Sequence, residues 1–170
     1  MPTLSQKISP CLWFDDQAEE AANFYTSVFP NSKITTITRY GEAGFEYHKR
    51  PAGSVMVVVF EIEGQSFTAL NGGPLFQFNE SVSFQILCSS QEELDHYWNK
   101  LTEGGDPKAQ QCGWLKDKYG LSWQVLSDEV LNMLMDANYE KSQRAMLSVM
   151  EMHKIDIAAV KQAYEGSLGR

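Results

Sequence analysis

Hydrophobic and polar residues alternate along the first half of the chain in a way that sets out a run of short elements. Ile8 to Phe14 is mostly apolar and reads as a strand. After Asp15, Asp16 is the candidate N-cap of a helix from Gln17 to about Phe29. Ala18, Ala21, Ala22, Tyr25, Val28 and Phe29 recur there at helical spacing and make one apolar stripe. Pro30-Asn31-Ser32 ends the helix, and Lys33 to Tyr40 has the alternation and β-branched content of a strand. Gly41 to Gly53 is polar and reads as a long loop. Ser54 to Glu63 is a strong strand, Glu63-Gly64-Gln65 a tight turn, and Ser66 to Asn71 its return partner.

The second half repeats the plan. Asn71-Gly72-Gly73-Pro74 interrupts regular structure, and Phe76 to Asn79 leads to a strand at Ser81 to Cys88. Ser90 is placed to cap a helix whose stripe is Leu94, Tyr97, Trp98 and Leu101, with Gly104-Gly105 at its end. A hairpin from about Gln110 to Leu126 turns at Lys118-Tyr119-Gly120. From Asp128 the pattern changes to two or three amphipathic helices ending near Gly166. The halves also match locally. Phe14-Asp15-Asp16-Gln17 aligns with Cys88-Ser89-Ser90-Gln91, and Glu63-Gly64-Gln65-Ser66-Phe67 with Tyr119-Gly120-Leu121-Ser122-Trp123. The expected fold class is α+β. Two βαβββ modules, about 1–79 and 80–127, make a domain over 1–127, and a helical extension over 128–170 packs on it or on a second subunit.

Composition narrows the function classes. At 170 residues and 43% apolar content the chain can bury a core without covalent staples. Fourteen basic against 22 acidic side chains give a net charge of −8, a field that disfavours nucleic acid and anionic membrane surfaces as partners. No run of 18 apolar residues spans a bilayer, and Met1 to Pro10 lacks the apolar core of a secretory signal, so a cytoplasmic protein is expected. Cys11, Cys88 and Cys112 have no CxxC spacing and sit in apolar strand runs, which argues against a disulfide framework or a cysteine nucleophile. There is no GxSxG elbow. His48, His96 and His153 stand apart from other ligand-type residues, and Glu46 with His48 offers a minor acid–base pair in the long loop.

Several segments carry a family resemblance. They are Ile8 to Phe14, Ala18 to Tyr25, Phe67 to Pro74, Ser83-Phe84, Cys112 to Gly120 with Ser122-Trp123-Gln124, and Lys154 to Ala158. With these the chain resembles the vicinal oxygen chelate superfamily of glyoxalases, bleomycin-resistance proteins and extradiol dioxygenases. Within it the match is to the PhnB-like subgroup labelled 3-demethylubiquinone-9 3-methyltransferase-like. The resemblance implies a curved mixed sheet around a cavity and a homodimer. It puts the metal-ligand positions of metal-using relatives near Ser9, Thr68, Ser83 and Gln124, where hydroxyls and an amide make a poor set for a transition metal. No metal is expected. Nor is a methyl-donor cofactor, because Phe14-Asp15-Asp16-Gln17 is a strand-to-helix turn without glycine, and Asn71-Gly72-Gly73-Pro74 leads into no helix.

The expected ligand is a small, flat or weakly anionic organic molecule. Asn71, Trp114, Lys116 and Gln124 would orient it, with Trp13, Tyr25, Phe76 and Phe78 as aromatic wall. The reading is of a binding protein or metal-independent enzyme. Stoichiometric sequestration, a metal-dependent isomerase or dioxygenase with atypical ligands, and a methyltransferase are its alternatives.

Overall fold

Strand β1 (Cys11–Phe14), helix α1 (Ala18–Val28), strand β2 (Lys33–Arg39), a helical turn α2 (Phe45–His48) and strands β3 (Val55–Ile62) and β4 (Gln65–Asn71) succeed one another in the computed structural model, which describes residues 6–166. The first five residues of the Met1–Pro10 segment and the last four of the tail lie outside the described part. The sheet order is β1-β4-β3-β2, with β1 parallel to β4 and the remaining pairs antiparallel. Glu63 and Gly64, both at positive φ, make the two-residue β3–β4 turn whose twist suits a hairpin.

Three alanines explain how α1 lies on this sheet. Ala18, Ala21 and Ala22 are fully buried, so the helix approaches closely enough for Tyr25 to stack on Phe60 with ring centroids 6.1 Å apart. Leu12, Phe14, Val58, Phe67 and Ala69 complete that core, in which each fully buried large side chain contributes roughly 1.5–3 kcal/mol. Asp16 does not cap α1. The N-cap position is Gln17, which makes no side-chain cap bond. Asn71, at the end of β4, supplies the acceptor instead: its Oδ1 takes the Ala18 N–H at 2.8 Å. The parallel register Phe14↔Asn71 brings that amide to the helix start, a neighbour 53 positions away that local sequence could not indicate.

The second unit begins at Asn79. It contains β5 (Phe84–Cys88), α3 (Gln91–Thr102), β6 (Trp114–Lys116), β7 (Ser122–Ser127), α4 (Asp128–Leu134), α5 (Tyr139–Met150) and α6 (Ile157–Glu165). Its sheet runs β5-β7-β6, with β5 parallel to β7 as β1 is to β4. The register repeats too. Cys88 pairs with Ser127 as Phe14 pairs with Asn71, in agreement with the sequence repeat. Three expectations need correction. The strand after α3 is missing, a 3₁₀ turn at Pro107–Ala109 standing in its place, and β5 starts at Phe84, so Ser81 to Ser83 precede it. Cys112 is not in a strand either. With Gly113 it forms a two-residue turn at φ 52° and 83° that closes Gln111 onto Trp114.

Ser90, Ser127, Asn138 and Asp156 each accept a backbone N–H at the start of α3, α4, α5 and α6. The helical tail is stitched to the β5-β7-β6 unit by backbone. Cys112 N donates to Met152 O and Gly113 N to His153 O, both at 2.8 Å, and the Gln91 amide bonds Ile155 O and Ile157 N. Ile155 and Val160 are fully buried there.

Candidate functional site

In the second unit the pleat sorts residues cleanly. Cys88, Leu115, Trp123 and Val125 are buried. The intervening residues lie on the opposite face of the sheet. There Trp114 pairs with Gln124, and Gln124 with Gln85, so one row crosses all three strands. Lys116 and Ser122 form the next row. The amides are mutually oriented: Gln85 Nε2 donates to Gln124 Oε1 at 3.3 Å, and Gln124 Nε2 to Ser83 Oγ at 2.8 Å. Lys116 pairs with Glu80, and its hydrogen bond holds the Glu80 carboxyl below the usual range. Ser122 Oγ is buried and finds no hydrogen-bond partner among the described residues.

A buried carboxylate sets this hairpin. Asp117 Oδ1 accepts from the N–H groups of Tyr119 and Leu121, and its Oδ2 accepts from Trp123 Nε1 at 2.9 Å. Those bonds fix the 117–121 turn and so the direction of Lys116 just before it. Neither Asp117 nor Gln85 stood out in the sequence. A charge inside the hairpin turn is an ordinary surface pattern, and Gln85 matters only through strand register.

In the first unit the corresponding row is Cys11, Thr68 and Val59, followed by Trp13, Leu70 and Val57. Trp13 lies flat across Gly72, where an added Cβ would fall 2.2 Å from its ring, and its Nε1 donates to Gly73 O at 2.8 Å. The Asn71-Gly72-Gly73 segment therefore needs glycine for close approach. Phe76 meets Trp13 edge-on at 4.9 Å, and Phe78 meets Phe14 at 5.3 Å. Beside this, Asp16, Glu19, Arg50, Ser54 and Asn71 line a depression of about 300 Å³. Arg50 donates to Asp15 O and Oδ1 there, a role that its position in a polar loop did not foreshadow.

The expected site residues thus divide. Trp114, Lys116 and Gln124 share one face of the second unit, and Trp13 with Phe76 forms a contact pair in the first. Phe78 packs on the buried Phe14. Tyr25 is 1% exposed, sealed beneath α1 against Phe60, and so lines no accessible wall. Asn71 is spoken for as well: Oδ1 caps α1 and Nδ2 donates to Val55 O at 3.1 Å. Tyr25 is taken up by the packing of α1 on the sheet, and Asn71 by the cap to which strand pairing brings it. His48 is likewise committed to its loop, accepting from Arg50 N at 3.0 Å through Nδ1.

The donor set does not fit a transition metal. Ser83 and Gln124 satisfy one another, Thr68 carries only a hydroxyl, and no three His, Cys, Asp or Glu side chains gather among the described residues. Both strand-to-helix turns, Phe14–Gln17 and Cys88–Gln91, lack the glycine that would admit a nucleoside-linked methyl donor to the helix start. Cys88 offers no nucleophile. Burial, reinforced by Glu93 and Asp128, pushes its thiol up to about 12.

Each unit pairs its first strand in parallel with its last strand in chain order, joins the rest antiparallel, and lays a helix on one face. That architecture is the glyoxalase and bleomycin-resistance fold, and it places the chain in the vicinal oxygen chelate class. The chain belongs to the PhnB-like family described as 3-demethylubiquinone-9 3-methyltransferase, whose profile matches residues 6–126. A PhnB protein from Bacillus cereus is 38% identical over 71% of this chain and 99% of its own, with a TM-score of 0.60. Protein PA1353 from Pseudomonas aeruginosa shares the fold at 20% identity, over 73% of this chain and all of its own, with a TM-score of 0.54. No curated protein matches the chain. The family match stops before α4, so the Lys154–Ala158 motif falls outside it. Among the described residues no helix is long and apolar enough to cross a membrane.

Proposed function

We infer that the chain binds a small, flat, weakly anionic organic molecule on the face of the β5-β7-β6 sheet away from its buried core. The observation that carries this reading is the row Trp114–Gln124–Gln85, with Lys116 one pleat away. The indole offers a stacking surface, the two amides offer oriented donors and acceptors, and the ammonium offers charge. Glu80 occupies that ammonium, so an incoming carboxylate or enolate competes with it, and only a modest affinity for the anionic group follows.

A thermal-shift and fluorescence screen of aromatic carboxylates against their neutral amides tests the site. Trp114→Ala should abolish the response, and Lys116→Met should remove the preference for the acid while leaving binding of the amide. Equal responses from both variants and the unsubstituted chain would refute it. Product analysis with ligand in excess then separates turnover from stoichiometric capture. The family description favours a second reading, methyl transfer, and calorimetry with S-adenosylmethionine tests it directly. Saturable binding would place a cofactor where neither strand-to-helix turn provides for one.

A further inference from the structure

The depression beside α1 carries charge of both signs and leaves much of it unpaired. One wall is the start of α1, with Asp16 and Glu19, and the other is the segment from Arg50 to Val55 that leads into β3. Asn71 sets the gap between them. Its Oδ1 accepts from Ala18 N on one wall, and its Nδ2 donates to Val55 O on the other. The second wall is tied back again where Arg50 Nη2 donates to Asp15 O at 2.6 Å and to Asp15 Oδ1 at 2.9 Å. Walls held at a fixed separation make a pre-formed site, which lowers the ordering cost of binding.

What fits there follows from the groups left over. A guanidinium has five N–H donors, and Arg50 commits only Nη2, so Nε and Nη1 have no acceptor among the described residues. Its side chain is 23% exposed, so a partner that reaches it is only partly screened by water. On the other wall the carboxylates of Asp16 and Glu19 have no hydrogen-bond or ion-pair partner among the described residues, and neither reaches Arg50. A molecule with a carboxylate at one end and an ammonium at the other satisfies both walls. An acid alone gains little, because Asp15 already offsets the Arg50 charge. An amine alone leaves the guanidinium donors unmet. Pro51 and Val55 add a short apolar stretch to the lining, and about 300 Å³ is the small end of the range for organic ligands. We propose that this depression binds a free α-amino acid with a short apolar side chain, its carboxylate on Arg50 Nε and Nη1 and its ammonium between Asp16 and Glu19.

L-leucine titrated into the isotope-labelled full chain should give saturable NMR shifts at the Arg50 Nε–H and at the Ser54 and Val55 amides. Isoamylamine and isocaproate, which lack its carboxylate and its ammonium respectively, should each bind about tenfold more weakly or worse, the loss of one charge-assisted pair. Glu19→Gln, at a part-exposed helix position, should weaken leucine to a similar degree with an unchanged far-UV spectrum. Arg50→Lys keeps the charge but loses the planar fork, and it should erase the advantage of leucine over isoamylamine. Trp114→Ala, in the other unit, should leave leucine binding as it was. Absence of saturable shifts with leucine, shifts confined to the β5-β7-β6 face, isoamylamine binding as tightly as leucine, or full affinity in Glu19→Gln would each overturn the proposal.

Discussion

Asn71 shows how far a residue's apparent chemistry can depart from its use. Read in sequence, a side-chain amide followed by two glycines invites a ligand. In the structure the same amide closes two backbone valences inside the first unit, one at Ala18 and one at Val55, and it is 5% exposed. Asn71→Ala should therefore lower unfolding stability by about 2 kcal/mol, the sum of a lost cap and an acceptor left wanting, read as a shifted urea midpoint. A loss of ligand response without loss of stability would return Asn71 to the site. Ser90, by contrast, was legible as a cap because its partner, Glu93 N, lies three residues away. Trp114, Lys116 and Gln124 were legible as polar or amphipathic residues at strand spacing. That Gln85 joins them was not, because its place beside Gln124 depends on a parallel pairing 39 residues apart.

Elements came through the sequence where their signals were local. Both sheet-covering helices, the β3–β4 hairpin and the Ser90 cap follow from periodicity and turn chemistry. The missing strand after α3 did not, since residues 103–111 carry turn-forming residues and polar side chains without the alternation that would have argued either way. Between the tail and α3, charges join elements that are distant in sequence. Lys154 Nζ lies 2.7 Å from Asp95 Oδ1 and, with the Gln91 amide, holds that carboxyl below its ordinary value. A depressed carboxyl stabilises the fold above its unfolded value of about 4 and loses that contribution as pH falls through the folded value. The difference in unfolding midpoint between the unsubstituted chain and Lys154→Met should accordingly be largest near neutrality, shrink below about pH 4, and weaken with salt because the pair is part-exposed. A difference that held constant into strong acid would mean that Lys154 acts by packing.

Over the whole molecule the family match and the physical unit have different limits. The match ends at residue 126, whereas Val130, Ile155 and Val160 belong to the buried interior of the second unit, and Cys112 and Gly113 spend their N–H groups on the tail. A chain stopped after Ser127 should bind a hydrophobic dye and show no cooperative transition for its second half. A soluble, cooperatively folding product would show that the β5-β7-β6 sheet stands without α4–α6. The sequence by itself determined the duplicated α+β plan, the helix stripes, the Ser90 cap and the strongly acidic character, because these depend on residues within a few positions of one another or on composition alone. Tertiary structure alone decided which polar residues serve the fold and which face outward. A side chain's neighbours across a parallel strand pair come from dozens of positions away, and a single register shift would exchange the two faces.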